Sequence, residues 1–314
     1  MWHDSRVLIT GGTGMVARHI KKLLEGNYAI TIEAPDRKSL DLENKREVVQ
    51  FVSHFKPDFV FHLAGKVHGL GGNLLYPIET LSSNVLINDA VLTACAHDSV
   101  KKVFFAGTVA SYEYPFASLP LTEERIFYGE PHAGEYGYAV AKRLAYSYLR
   151  VLAEKFGKKY VYGAFTNLYG PHDRFNSVSG HVVPSLIAKL YLAANSGEPL
   201  QVWGAPDTTR DFLYVEDAAE AAIFLMANGE GIFNIASGVE TTMQELVDAL
   251  VIASNFKGEV FWDVTKPVGI KRRFSSVEKL LSLGFHAQHN LSDGVAKTWL
   301  WYRNAAISNH SIRL

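Results

Sequence analysis

The chain runs from Arg6-Val7-Leu8-Ile9-Thr10 straight into Gly11-Gly12-Thr13-Gly14-Met15-Val16-Ala17. Five residues ending in an apolar run and closed by glycines predict a buried strand, and Met15 to Leu24 carry apolar residues at helical spacing. Between them lies a loop in which glycine lets the backbone turn tightly and approach a ligand. The helix that follows offers N–H groups and a positive dipole end to an anion. Ala17 stands where a third glycine could be, and a small residue there still allows close helix packing. A glycine triplet alone is weak, and a plain strand-to-helix turn is the competing reading. Its place directly after the first strand makes a dinucleotide pyrophosphate the stronger one.

Outward from this loop the pattern repeats. Tyr28–Ile32 (YAITI) reads as a second strand, Lys45–Phe55 as a helix and Phe59–Leu63 (FVFHL) as a third strand. A helix at Val85–Ala96, a strand at Lys102–Ala106, a helix at Tyr138–Phe156 and a strand at Tyr160–Phe165 follow. Such alternation predicts a parallel sheet with right-handed crossovers. After Asn167 the pattern loosens. The expected fold is α/β, a doubly wound Rossmann-type sheet with a smaller C-terminal substrate lobe. Residues 1–166 would form the nucleotide-binding domain, with a return near 213–236 that includes Ile232–Ala236. Residues 167–212 and 237–314 would form the smaller lobe.

The 314 residues are 48% hydrophobic and 20% charged with a formal net charge of -1, as in an ordinary globular enzyme and unlike a nucleic-acid binder. The tightest basic cluster is Lys271-Arg272-Arg273. One cysteine, Cys95, excludes an intrachain disulfide and suits a reducing cytoplasm; its apolar helical setting reads as packing. No apolar run is long enough for a membrane span, and no metal site is read from the sequence.

The run Glu33-Ala34-Pro35-Asp36-Arg37-Lys38 should decide between cofactors. Arg37 and Lys38 suit the extra phosphate of NADP, whereas Glu33 suits the ribose hydroxyls of NAD; the lean is slightly to NADP. Tyr138-Ala139-Val140-Ala141-Lys142 places a phenol and an ammonium on one helix face. The ammonium is expected to lower the phenol's pKa toward neutrality, and the tyrosine to exchange a proton with a carbonyl oxygen as hydride moves. Thr108, after the strand KVFFAG, would aim its hydroxyl into the same cleft.

These residues resemble the extended short-chain dehydrogenases, and within them the GDP-L-fucose synthase family of GDP-4-keto-6-deoxy-mannose epimerase/reductases. The similarity extends through Leu63–Val67 with Gly71-Gly72-Asn73, Gly107-Thr108-Val109, Thr166–Asp173, Gly180–Pro184, Val202-Trp203-Gly204, Arg210-Asp211-Phe212 and Lys266–Gly269. Thr166–Pro184 is its most specific part. The resemblance implies catalysis by Thr108, Tyr138 and Lys142. It implies a cofactor lined by Gly11, Thr13, Gly14, Met15, Arg37, Leu42, Ala64 and Lys66 together with Tyr138 and Lys142. A sugar nucleotide would be held by Asn167, Val182, Lys189, Trp203, Arg210 and Arg273. Arginines suit a diphosphate and a tryptophan can cover a base or sugar face; a core role for Trp203 and a surface ion pair of Arg210 with Asp211 are the alternatives.

The family's epimerisation uses a cysteine and a histidine. The histidine position is His181, but the cysteine position is Ala110, which cannot carry a proton. Tyr112 or Glu113, in the departing run Ser111–Pro115, could substitute. The expected activity is therefore oxidoreduction at C4 of a GDP-linked 4-keto-6-deoxy hexose or heptose without full 3,5-epimerisation. Three alternatives remain: an NAD-linked 4-dehydrogenase with tightly held cofactor, a GDP-L-fucose synthase with a substitute acid, and a cofactor sensor without turnover. The apolar helices at 85–96 and 138–152 lead to the expectation of a homodimer.

Overall fold

The computed structural model describes residues 2–67, 75–177, 180–266, 269–308 and 312. Gly71-Gly72-Asn73, Pro267 and Val268 lie outside them.

The first strands in chain order are β1 (Arg6–Thr10), β2 (Thr31–Glu33), β3 (Phe59–His62), β4 (Lys102–Thr108) and β5 (Lys159–Phe165). The next are β6 (Asn167–Tyr169), β7 (Leu200–Trp203), β8 (Thr209–Arg210), β9 (Phe212–Tyr214) and β10 (Gly231–Ile235). The last are β11 (Thr241–Thr242), β12 (Val260–Asp263) and β13 (Arg272–Arg273). Six of them form one parallel sheet in the order β10-β5-β4-β3-β1-β2. The order reverses beside β1, and the glycine loop leaves the C-terminal end of that strand. In an open α/β sheet this is where a ligand crevice forms.

Side-chain alternation along the strands builds a core on each face. Val103 and Phe105 point to one side, with Ala145, Leu149 and Leu152 of the helix Tyr136–Phe156 and Val91 of the helix Pro77–Ala94. Phe104, Ile9 and Phe61 point to the other, with Ile20, Leu24 and the alanine-rich face of the helix Val215–Asn228. Each phenylalanine fully buried in this way contributes roughly 1.5–3 kcal/mol. Lys102, buried at the start of β4, donates from Nζ to the carbonyls of Leu225 (3.0 Å) and Gly229, tying the sheet to the C-terminal end of Val215–Asn228.

A third core joins β7 and β12 to the helices Val182–Ser196, Met243–Ser254 and Leu291–Ile307, through Leu186, Leu190, Leu246, Leu250 and Trp299. Beside it, β11-β8-β13 form a small sheet whose register sets Arg273 opposite Arg210.

Several boundaries differ from the sequence expectation by a residue or two, and two differ by more. The second strand begins at Thr31: Tyr28 ends the preceding helix by giving its N–H to Leu24 O (3.1 Å), so residues 28–30 stay outside the ladder. The helix expected from Val85 begins at Pro77, which preorganises its first turn, and ends at Ala94. Among the described residues no helix is long and apolar enough to cross a membrane.

Candidate active site

The glycine loop is shaped by contact with its neighbours. Gly11 has φ +73°, and a Cβ there would lie 3.0 Å from Ala64 Cα. A Cβ on Gly12 would lie 2.2 Å from Ala34 O, so only glycine lets the loop touch the end of β2. Gly14 N donates to Gly11 O (2.8 Å), and Gly14 begins the helix Met15–Asn27 with no side-chain cap. Bare N–H groups on a helix start, flanked by backbone with room only for glycine, fit a pyrophosphate.

Of the other expected cofactor residues, Ala64 lies against this loop and the rest are spread over several elements. Thr13 is exposed, and Ala64 is buried against Gly11. Lys66 is clamped by Asn84: its N–H donates to Asn84 Oδ1 (2.9 Å) and its carbonyl accepts from Asn84 Nδ2 (2.9 Å). Leu42 packs half-buried on the core. Arg37 is exposed, 3.7 Å from Glu43. Asp36 is a turn residue whose Oδ1 accepts from Lys38 N, Ser39 N and Ser39 Oγ.

Thr108 ends β4, and its Oγ1 accepts from Ala110 N (3.1 Å). Its hydroxyl lies against the Tyr138 phenol. Lys142 is almost wholly buried, with Nζ 4.8 Å from the Phe105 ring centre and 5.8 Å from that of Tyr138. Desolvation brings its ammonium down to about 8.

The expected lowering of the Tyr138 phenol is not what this geometry gives. Burial first, and then the Glu135 carboxylate, push the phenol up to about 12, while the Thr108 hydroxyl opposes them. Lys142 spends its charge against an aromatic face and a desolvated pocket. Tyr138 therefore rests protonated.

Behind the pair runs a buried relay. Asn88 Nδ2 donates to Ala141 O (3.1 Å), one residue before Lys142. Asn88 Oδ1 then takes the His62 Nε2–H (3.1 Å), and His62 Nδ1 accepts from the Thr10 hydroxyl (2.8 Å). Burial, aided by the Lys142 charge, lowers His62 to about 3 and keeps it neutral. The relay connects the residue before Gly11 to the helix of Tyr138 and Lys142.

On the substrate side, the basic run 271–273 is divided among three carboxylates. Lys271 Nζ lies 3.2 Å from Asp207 Oδ2, and Arg272 forks onto Glu240 (2.7 and 2.8 Å). Arg273 reaches Glu135 (Nη1–Oε2 2.7 Å, Nη2–Oε1 3.4 Å). Arg210 donates to Thr209 O (2.7 Å), and desolvation followed by the Arg273 charge brings it down to about 10.

The surface pair of Arg210 with Asp211 is not formed, because successive residues of an extended chain point to opposite sides. Asp211 is fully buried and accepts from Ser237 N (2.9 Å), Ser237 Oγ (2.8 Å), Gly238 N (3.1 Å) and Ser275 N (3.4 Å). Its carbonyl accepts from Asn167 Nδ2 (2.9 Å).

Trp203 is not a core aromatic. It is 46% exposed, with Lys189 Nζ 4.0 Å and Lys266 Nζ 5.4 Å from its ring centre. His181 and Val182 lie exposed at the start of the helix that carries Lys189.

Both candidates for a substitute epimerisation acid already have a polar partner. Tyr112 is buried and donates to Asn234 Oδ1 (2.7 Å), with its pKa raised by burial. Glu113 is paired with Arg125. Ala110 itself is buried. Sequence reading also passed over Glu135, His62 and Asn88. Glu135 precedes the Tyr138 motif as a lone acid, the one visible signal; the polar partners of His62 and Asn88 are distant in sequence.

The model of the NAD dependent epimerase/dehydratase family matches residues 7–236. GDP-L-fucose synthase 1 of Arabidopsis thaliana is 32% identical over 302 residues, covering 95% of this chain and 93% of its own. The crystal structure of a GDP-L-fucose synthetase from Naegleria fowleri bound to NADP is 26% identical, with a TM-score of 0.89, 99% of this chain and 98% of that one being covered. A GDP-mannoheptose C4 reductase from Campylobacter jejuni with NADP bound is 25% identical, with a TM-score of 0.86 and coverages of 96% and 98%. The family match spans both the glycine loop and the Tyr138–Lys142 helix, and the similarity runs the full length of the fold; the chain therefore belongs to the NAD dependent epimerase/dehydratase family, as an NAD(P)-dependent oxidoreductase.

Proposed function

We propose that this chain is a reductase acting at C4 of a GDP-linked 4-keto-6-deoxy hexose or heptose, without full 3,5-epimerisation, and that it works with NADP(H) as a homodimer. The nicotinamide, when bound, supplies the hydride. Tyr138 gives its proton to the oxygen as the alkoxide develops, and Thr108 orients that oxygen and the phenol. Lys142 places positive charge beneath the pair. Arg210 and Arg273 hold the diphosphate, while Lys189, Trp203 and Asn167 hold the rest of the nucleotide sugar. Glycines 11 and 14 and residues 13 and 15 hold the cofactor's pyrophosphate, with Arg37 toward a 2′-phosphate.

The observation that carries this reading is that Thr108 and Lys142 both lie against Tyr138 while position 110, two residues after Thr108, is a buried alanine with no proton to give. By microscopic reversibility the same phenol gives its proton to the oxygen in reduction and takes it back in oxidation. The chain's likeness to both a GDP-L-fucose synthase and a C4 reductase supports a GDP-sugar substrate.

Epimerisation beside a ketone needs one group to remove a C–H proton and another to return one on the opposite face. His181 carries an imidazole that could serve once, whereas Ala110 cannot serve at all. With GDP-4-keto-6-deoxy-mannose and NADPH in heavy water, the product should carry no solvent deuterium at C3 or C5 beyond an enzyme-free control. Deuterium at both carbons with inversion would sink the reading. Deuterium at one carbon would make His181 a single-site base.

A further inference from the structure

Two guanidiniums lie side by side in the small sheet, Arg273 directly opposite Arg210 in register. Arg273 is 8% exposed, and its Nε is buried without a hydrogen-bond partner among the described residues. The carboxylate joined to this pair is Glu135, two-handed on Arg273. One carboxylate against two desolvated guanidiniums leaves about one net positive charge, which an anion can complete. Glu135 also stands immediately before the helix Tyr136–Phe156. Tyr138 is three residues on, so the two side chains share one face of the first turn.

Resting on the function proposed above, we infer that Glu135 is a positioning residue that couples the anion subsite to the proton donor: its carboxylate holds Arg273 beside Arg210, limits the affinity of the pair for a diphosphate, and presents negative charge to Tyr138. The groups that face it are Arg273 from β13, Arg210 from β8 and His132 from the preceding turn. Burial works against its ionisation, but Arg273 above all, with His132 and Arg210, holds it below the usual carboxylate range. Tyr138 is faced by Glu135, by Thr108 at the end of β4, by Tyr162 of β5 and by Lys142 of its own helix. A diphosphate arriving on the arginines meets one that is already oriented, and it shares that arginine with Glu135. Glu135 thus limits how tightly the nucleotide product is retained, and it keeps the phenol protonated.

The test is Glu135→Gln, which keeps an acceptor for Arg273 and removes the charge, with GDP as the probe. Loss of a merely structural contact would loosen the arginines and weaken binding; loss of a restraining charge does the opposite. Titration calorimetry at low salt should show GDP bound about threefold tighter or more by Glu135→Gln, the gain shrinking as salt is added. Glu135→Asp, which restores the charge, should return toward wild type. With GDP-4-keto-6-deoxy-mannose as substrate, the alkaline limb of kcat should move to lower pH in Glu135→Gln, since the phenol loses a neighbouring anion. Equal or weaker GDP binding by Glu135→Gln, or an unmoved alkaline limb, overturns the role given to Glu135. Failure of the wild-type protein to bind GDP overturns instead the function proposed above, and this role with it.

Discussion

Lys142 shows how a single residue of this site trades stability for chemistry. Its ammonium is buried with an aromatic face beside it, and desolvation lowers it from 10.5 to about 8. The unfolded chain therefore binds the proton more tightly than the folded one between about pH 8 and 10.5, so this group's contribution to stability rises with pH across that window. Below about pH 8 the full penalty is present. Replacing Lys142 with methionine, similar in length and uncharged, should raise stability by up to about 3 kcal/mol at pH 7, less the lost contact with Phe105. The gain should fade as pH approaches 10.5. Thermal melts of the two proteins at pH 7 and pH 10 check the sign, and turnover should be lost in the variant. A Lys142→Met protein that melts lower at pH 7 and is no less stable at pH 10 would contradict the burial cost. The pair of Tyr138 and Lys142 was legible in sequence because it lies within one helical turn. Its electrostatics was not, since Glu135 and the hydrophobic shell that set it depend on three-dimensional packing.

Among the elements, the short strands β8, β9 and β13 do the positioning, and Asp211 ties them. Its carboxylate takes four donors from residues 237, 238 and 275, and its carbonyl holds Asn167 and Thr166. Cutting it back to alanine would leave backbone N–H groups of Ser237, Gly238 and Ser275 without their acceptor in the interior. Asp211→Ala should therefore cost about 3 kcal/mol or more, read as a lower urea midpoint. GDP binding should weaken as well, because Arg210 is its neighbour and Arg273 lies two residues from Ser275. A variant with wild-type stability would show that the knot is dispensable. Strands of two or three residues carry too little periodicity to be found in sequence, and the partners of Asp211 lie 26 to 64 residues away. The long sheet strands were legible for the opposite reason, as RVLIT, FVFH and KVFFAGT are apolar runs punctuated by glycine, proline or charge. YAITI was misread at its start because Tyr28 is apolar enough to suggest a strand yet serves as the helix stop.

At the scale of the whole molecule, the face left by the helices Pro77–Ala94 and Tyr136–Phe156 carries the expectation of a homodimer. The two helices pack side by side on the sheet, joined where Tyr148 Oη donates to Asp89 Oδ1 (2.8 Å). Their inner positions are buried, but their outer ones are also apolar. Ile78 is 74% exposed and Leu86 48%, two turns apart on one stripe; Tyr136, Leu144 and Val151 are exposed on the other helix at the spacing of one face. Isolated exposed leucines need no explanation, whereas five large apolar side chains exposed on two adjacent helices are what a second copy could cover. A second copy related by a two-fold axis would cover them with the same residues, as an isologous contact requires, forming a four-helix bundle across the axis. The same helix carries Tyr138 and Lys142, so the contact would also stiffen the catalytic element from behind. Light scattering at micromolar concentration should give twice the chain mass. Leu144→Glu, placing a charge in the centre of the patch without touching the core, should give a monomer whose far-ultraviolet circular dichroism is unchanged. A wild-type monomer at that concentration, or a dimer undisturbed by Leu144→Glu, would mean that these stripes are not the interface.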